Sequence, residues 1–448
     1  MKQLIFLVIF IPFMVNAQID KGIKFSEGLT WQQVLSKAKS ENKYIFVDCY
    51  ATWCGPCKYM DKEVYTKRVV GDLLNEKFIS VKVQMDTSKQ DNELIKRFYQ
   101  EAADINLQYK ITAFPSYLFF SPEGKIVHRY LGAMPDTLFL QLASNALTPN
   151  KQYYTLLDRY KLGERDSTHM LYLSNITKKI GNMALANTIA RDYFDLYLNK
   201  LSRTNMCTRR NIEFLTSFSQ LLCSKDKAFE LFYLDGDTVD RIMDSKGFSE
   251  YIVEMTIVRE EINPRLWPEE VPIAGTPDWQ KLMDVITRKF NRYYAENALL
   301  NAQLRWYTEK KAWPEVAKYN ILKIEKNGLD TIGMGKFFTN NMIWNVMFLH
   351  SNDMVVLRKG VNWMEIIVKA TPNDGPNIDT YANLLYKIGR TKEALYWEER
   401  ALKIAKNNKK LAESKKDSIV IAAFKNEIEI YERTIGKMRK NEPTWTVN

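Results

Sequence analysis

The sequence predicts an α/β sandwich around one central sheet, followed by an all-α region built from repeated helices. Three observations predict it. Between residues 18 and 149, short apolar runs of strand character alternate with helical periodicities. From Lys151 onward strand signals nearly vanish, and close to residue 448 the sequence matches itself at an offset of 34 residues. The chain has 448 residues, 46% hydrophobic and 26% charged. That excludes a polytopic membrane protein, a disordered chain and a fibrous repeat, and a length of about three ~150-residue units predicts two or three domains. With 18 Gly and 14 Pro it is no low-complexity linker, and five cysteines are too few for a disulfide-stapled scaffold.

The boundaries expected are 1–17, 18–149, 150–275 and 276–448. The first segment reads as an address. Met1 and Lys2 are followed by an apolar run over 4–15 and by Val15-Asn16-Ala17, the pattern of a secretory signal peptide cleaved after Ala17. The run is shorter than the ~20 residues of a transmembrane helix. The expectation is therefore a periplasmic or secreted chain without a membrane span after cleavage, in a compartment where disulfides persist.

Residues 31–43 place Trp31, Val34, Leu35 and Ala38 at helical spacing, with Thr30 as N-cap. Residues 44–51 form a continuous apolar run, as in strands buried on both faces. A helix is expected from Cys54 through Met60 and Val64. Residues 78–85 read as strand, 92–103 as helix and 116–120 as strand. Pro122-Glu123-Gly124-Lys125 is a turn into a strand over 126–131, and 135–147 closes the unit as a helix.

Between the first strand and its helix lies Trp53-Cys54-Gly55-Pro56-Cys57-Lys58. Cysteines three apart at a helix start sit one turn from each other, so their sulfurs can close a small ring. The first sulfur faces unpaired N–H groups and the positive end of the helix, which favour thiolate over thiol. Cys54 is then the attacking nucleophile. Cys57, deeper in the helix and expected to be less accessible, is the resolving thiol. The competing reading is half of a structural zinc site, which needs two further Cys or His ligands. The other cysteines are isolated, and His128, His169 and His350 complete the histidines. No metal or cofactor is called for.

Residues 47–58, Val-Asp-Cys-Tyr-Ala-Thr-Trp-Cys-Gly-Pro-Cys-Lys, resemble the active-site segment of the thioredoxin family. Asp48, six residues before the first cysteine, matches the family's buried aspartate that assists proton transfer. Lys82, on the next strand, matches the lysine that pairs with it. Tyr109-Lys110-Ile111-Thr112-Ala113-Phe114-Pro115-Ser116 resembles the loop carrying the family's cis-proline, and Gly132 fits the pattern after the last strand. The resemblance implies Cys54, Cys57, Asp48 and Lys82 as catalytic residues, with Cys54 and Cys57 as the redox disulfide. It implies Trp53, Gly55, Pro56, Phe114 and Pro115 as substrate-binding residues. Ser116 stands where threonine is usual, and the stretch from Asp86 to Tyr109 is longer than in thioredoxins. That stretch, with Met60-Asp61-Lys62-Glu63-Val64, looks closer to periplasmic thioredoxin-like relatives, including the C-terminal domain of electron-relay disulfide reductases. The resemblance covers residues 25–147.

Cys49, in the apolar strand, reads as an inert core thiol. Cys207 and Cys223 read as core cysteines, with a bridge between them left open.

In the helical remainder, Asn362-Trp363-Met364-Glu365 aligns with Tyr396-Trp397-Glu398-Glu399 at the 34-residue offset, the tetratricopeptide period. Tyr381, Ala382, Gly389, Ala394 and Ala401 fit that helix-turn-helix pattern, with Gly389 in the turn and small Ala382 and Ala394 letting helices approach. Prolines 264, 268, 272 and 277 break the helices over 262–278. Trp306, Tyr307, Phe337, Phe338 and Trp344 read as helix-pair core rather than a ligand box. The net charge of +11 lies mainly here, at 46 Lys+Arg against 38 Asp+Glu over 151–448. The plainer reading is a solvated face and the sharper one a groove for an acidic partner. Neither motif nor compartment favours nucleic acid.

The function expected is exported thiol–disulfide oxidoreduction, with protein disulfides reduced through a Cys54–Cys57 cycle. The Gly-Pro dipeptide matches the reducing members of the family. Disulfide-containing proteins are the expected substrates, an electron donor restores the dithiol, and the helical region holds substrate or a protein partner. The alternatives are an interaction scaffold that uses the first domain for docking, and a redox sensor whose oxidation state changes what the helices bind.

Overall fold

The computed structural model describes residues 22–445, which fall into two compact units divided between Ile252 and Val253. The 1–17 address lies outside the described residues. In the first unit, α1 (Trp31–Glu41) opens with a capping box. Gln33 donates its N–H to the Thr30 hydroxyl at 3.3 Å, and the Thr30 N–H returns to the Gln33 side chain at 2.9 Å. Strand β1 (Tyr44–Tyr50) follows, then α2 (Gly55–Tyr59), which continues as a π-helical turn over Met60–Val64. Next come α3 (Arg68–Lys77) and β2 (Phe78–Gln84). The single helix expected over 92–103 is two, α4 (Glu93–Arg97) and α5 (Tyr99–Tyr109), because the backbone leaves helical geometry at Phe98. Strands β3 (Ser116–Phe120) and β4 (Ile126–Leu131) and helix α6 (Asp136–Ala146) complete the layer.

The sheet order is β2-β1-β3-β4. β1 runs parallel to β2 and antiparallel to β3, which is antiparallel to β4. Alternation along β1 decides the chemistry. Ile45, Val47 and Cys49 face a core shared with Val34 and Ala38 of α1 and Ala102 and Ile105 of α5. Phe46 faces the opposite core, with Met60, Val70, Leu74 and Phe139. The period of two puts Asp48 on the Phe46 face, which is the side covered by α2.

The first unit continues with α7 (Tyr153–Lys161), α8 (Ser167–Lys179) and α9 (Met183–Leu196). Helix α7 packs on β4, and the Tyr153 N–H donates to Nδ1 of the fully buried His128 at 2.9 Å. Burial lowers the His128 pKa to about 3, so the ring stays neutral and keeps the lone pair that accepts this bond. Cys207 and Cys223 are not disulfide-bonded.

In the second unit, helices Met354–Ala370, Gly375–Lys387, Thr391–Ser414 and Ser418–Arg439 each pack on the next. Ala382, Ala394 and Ala401 are fully buried in that core. Gly389, at φ +87°, makes the turn between the second and third of these helices, a conformation that favours glycine. Irregular chain over 271–278 precedes helix Trp279–Lys289. Of the aromatic residues expected in the core, Trp306 is buried, but Phe337 and Phe338 are 51% and 62% exposed. They lie side by side on a helix with few buried positions, so their apolar character does not report core. Among the described residues no helix is long and apolar enough to cross a membrane.

Glu398 is fully buried, with the Asp379 carboxyl against its own. Burial, reinforced by the nearby Asp379 carboxyl, pushes its pKa well up. An acid whose folded pKa is raised is most stabilising below its unfolded value. That contribution is lost as pH climbs toward the folded value. Glu398→Gln is therefore expected to melt with wild type near pH 4 and above it at pH 8, by about 1–3 kcal/mol. Thermal denaturation at the two pH values checks this, and parallel melting curves would show that Glu398 does not titrate on unfolding.

Candidate redox active site

The turn after β1 is fixed from the end of the neighbouring strand β2. Thr52 donates its N–H to both oxygens of Asp86, at 3.0 and 3.2 Å, and its hydroxyl to one of them at 2.5 Å. Asp86 follows β2, so this fork ties the segment leading to the cysteines to the neighbouring strand. Cys54 then takes the N-cap position of α2 in extended geometry, and its Sγ accepts the Cys57 N–H at 3.0 Å. A sulfur here occupies the place of a capping oxygen, where backbone donors favour negative charge. Pro56 sits in the first turn, where its missing N–H leaves nothing unsatisfied. A Cβ on Gly55 would meet nothing within 4 Å, so this surface is open to a visiting chain.

Cys54 and Cys57 are joined in a disulfide with Cα atoms 5.3 Å apart. The expected difference in accessibility is absent, since Cys54 is 2% and Cys57 3% exposed. Tyr50, Ala51 and Phe114 pack around the pair, so the cover comes from flanking loops and not from depth in the helix. What distinguishes the sulfurs is the cap bond to Cys54.

Trp53 is 71% exposed, and its indole meets the Phe114 ring edge-on at 5.8 Å. The Phe114–Pro115 peptide is cis, and the Pro115 carbonyl accepts the Gly132 N–H at 2.9 Å. Trp53, Gly55, Pro56, Phe114 and Pro115 are thus brought around the disulfide by two loops at one end of the sheet.

Beneath them, strand register aligns Asp48 with Lys82 on one side and Tyr117 on the other. Asp48 is buried, with the Tyr65 hydroxyl beside its carboxyl. Lys82 Nζ lies 4.0 Å from Asp48 Oδ2 but makes its short ion pair with Asp61, and it sits 4.8 Å from the centre of the Tyr50 ring. Burial therefore dominates and raises the Asp48 pKa to about 7, with Lys82 pulling it down and Asp61 pushing it up. Burial also pushes the Cys49 thiol up.

Three residues of this interior were not anticipated as site residues. Asp61 lies one helical turn after Cys57, on the π-helical segment, and takes the lysine. Tyr65 and Tyr117 add buried hydroxyls beside Asp48, with Tyr65 interacting with both the Tyr117 hydroxyl and the Asp48 carboxyl. Tyr117 was findable from strand alternation, because it shares a face with Phe119. Asp61 was not, because placing it depends on the π-helical turn. Among the described residues no group of three or more His, Cys, Asp or Glu is arranged to hold a metal ion.

A two-cysteine disulfide at a helix cap, over a buried acid and beside a cis-proline loop, defines a thiol–disulfide oxidoreductase domain of thioredoxin-like fold. The profile of the thioredoxin-like domain family matches residues 31–147. Thioredoxin H2 of Arabidopsis thaliana is 28% identical over 123 residues, covering 28% of this chain and 78% of that protein. A thioredoxin of Mycoplasmoides gallisepticum is 31% identical over 114 residues, covering 25% of this chain and 95% of that protein. The thiol:disulfide interchange protein DsbD of Pseudoalteromonas atlantica is 31% identical over 119 residues, which is 26% of this chain and 18% of that protein. Through this domain, the chain belongs to the thioredoxin family.

Proposed function

We propose that the chain is an exported protein-disulfide reductase whose tetratricopeptide-like helices hold substrate or a partner. The observation that carries the reading is the Cys54 sulfur at the helix cap, accepting the Cys57 N–H beside the exposed Trp53. In the dithiol form, Cys54 thiolate attacks one sulfur of a substrate disulfide. A Cys54–substrate disulfide forms and the other substrate sulfur leaves as thiolate. Asp48 then takes the Cys57 proton, and Cys57 attacks Cys54 Sγ. The Cys54–Cys57 disulfide forms and the second substrate thiol departs. Substrate gains two electrons, one proton reaches its leaving thiolates from Cys57 by way of Asp48 and the other from water, and a donor dithiol restores the enzyme. Lys82 and Asp61 bear on this cycle through Asp48. Export rests on residues 1–17, and the helical role on the 34-residue offset together with the Gly389 turn.

The testing experiment is insulin reduction, followed by turbidity with dithiothreitol as donor. Catalytic amounts of the protein are expected to shorten the lag well below that of the reductant alone. No acceleration with dithiothreitol or with any protein dithiol donor would sink the enzyme reading and leave the scaffold.

A further inference from the structure

Strand β4 ends beside the cis-proline loop, and the chain that follows it borders a groove completed by α6 and α8. Gly132, hydrogen-bonded to the Pro115 carbonyl, is followed two residues on by Met134, whose N–H donates to Met60 Sδ at 3.4 Å. Two residues span at most about 7 Å, so Met134 lies within that distance of Gly132 and the loop beside the disulfide. Met134 lines a groove of about 240 Å³ whose other walls come from α6 and α8. Leu142 and Ile176 form an apolar floor, Tyr130 and Tyr172 stand at the sides, and Leu138 lies exposed at the rim. Lys179 Nζ sits 5.8 Å from the centre of the Tyr130 ring, and no carboxylate lines the groove among the described residues. An apolar cavity of roughly 150 Å³ accommodates a benzene ring, so this volume suffices for a large side chain.

We propose that this groove is a specificity pocket for the polypeptide substrate, taking a large apolar residue with an acidic neighbour two to four residues from the target cysteine. The proposal rests on the disulfide-reductase reading and extends it from the cysteines to the chain around the bond they cleave. A substrate strand lying on the cis-proline loop advances about 3.3 Å per residue. It therefore reaches the Met134 mouth within that interval. The apolar floor supplies binding through buried area. Lys179 at the rim, unopposed by any lining carboxylate, supplies the preference for an acid. Because α8 forms one wall, the helical region shapes the substrate site directly.

Two disulfide peptides separate the possibilities, one with Phe-Glu three residues from the cysteine and one with Gly-Lys there. The full chain is expected to reduce the first about tenfold more efficiently in kcat/KM, with the difference in KM. The rim variants Leu138→Glu and Lys179→Glu, chosen because neither is part of the core, are expected to erase that preference at unchanged kcat. Both should reduce bis(2-hydroxyethyl) disulfide, which has neither a large apolar group nor an acid, at the wild-type rate. Equal KM values for the two peptides, or rim variants that keep the preference, would overturn the pocket while leaving the reductase intact. Failure of the wild-type chain to reduce even the small disulfide would overturn the reductase reading, and the pocket with it.

Discussion

Replacing Cys57 by alanine is expected to turn a turnover enzyme into a trap. The substitution removes a side chain and leaves the backbone. The N–H that donates to Cys54 Sγ at 3.0 Å therefore survives, and with it the local stabilisation of the Cys54 thiolate. Attack on a substrate disulfide still forms the mixed disulfide. No second thiol then stands one helical turn away to break it. Cys49, the next cysteine in the chain, cannot substitute, because it faces the opposite core and burial holds it as a thiol. Disulfide-linked adducts should accumulate on non-reducing gels of the variant, while insulin reduction falls to the rate of the donor alone. The double variant Cys54→Ser, Cys57→Ala should carry none. A folded Cys57→Ala protein, verified by circular dichroism, that captures no substrate would contradict the assignment of Cys54 as nucleophile.

Asp48→Asn should slow resolution of the mixed disulfide by about 10²-fold near neutral pH, the usual contribution of a positioned general base. It should leave the first attack nearly unchanged. The same variant has a second readout in stability. Asp48 is raised from about 3.8 to about 7 by burial, so the folded chain prefers it neutral. The stability contributed by a raised acid is complete below the unfolded pKa and is lost as pH rises to the folded one. Wild type should therefore weaken between about pH 4 and pH 7, and Asp48→Asn should not. At pH 8 the variant should be the more stable by something on the order of 4 kcal/mol. Asp61→Asn tests the local wiring. Without Asp61, Lys82 loses its ion-pair partner and remains 4.0 Å from the Asp48 carboxylate. The Asp48 pKa should fall, and the acid limb of the pH–rate profile should move down with it. The charged and titratable groups around Asp48 are Lys82 on β2, Asp61 on the π-helical turn, Tyr65 after it and Tyr117 on β3. An unmoved acid limb in Asp61→Asn would mean that burial alone sets the Asp48 pKa.

The parts of the fold legible in the sequence were those encoded by short periods. The run over 44–51 and the strands at 116–120 and 126–131 carry their own apolar signal, and the turns between them carry Gly and Pro. The break at Phe98 was not legible, because no Pro or Gly marks it and helical periodicity continues across it. The same limit applied at the site. Cys54 and Cys57 identify themselves by spacing, whereas the diversion of Lys82 to Asp61 depends on a π-helical segment that shifts Asp61 relative to the sheet. The equal burial of the two cysteines depends on Phe114, some sixty residues away in sequence and adjacent only after folding. Nothing in the 34-residue self-match marks Glu398 as buried. Its burial follows from which face the neighbouring helix covers, and a single helix does not contain that information.

The bond from Tyr153 to His128 bears on modularity. Thioredoxin-like domains are pictured as cassettes that can be cut from one chain and set into another. In this chain the fourth strand is finished by the first helix of the next region, which covers its imidazole and satisfies one of its nitrogens. A cassette ending at residue 149 would leave the His128 imidazole without the Tyr153 N–H that it accepts. One of the bonds that complete this strand therefore comes from a residue beyond the boundary that sequence composition suggests.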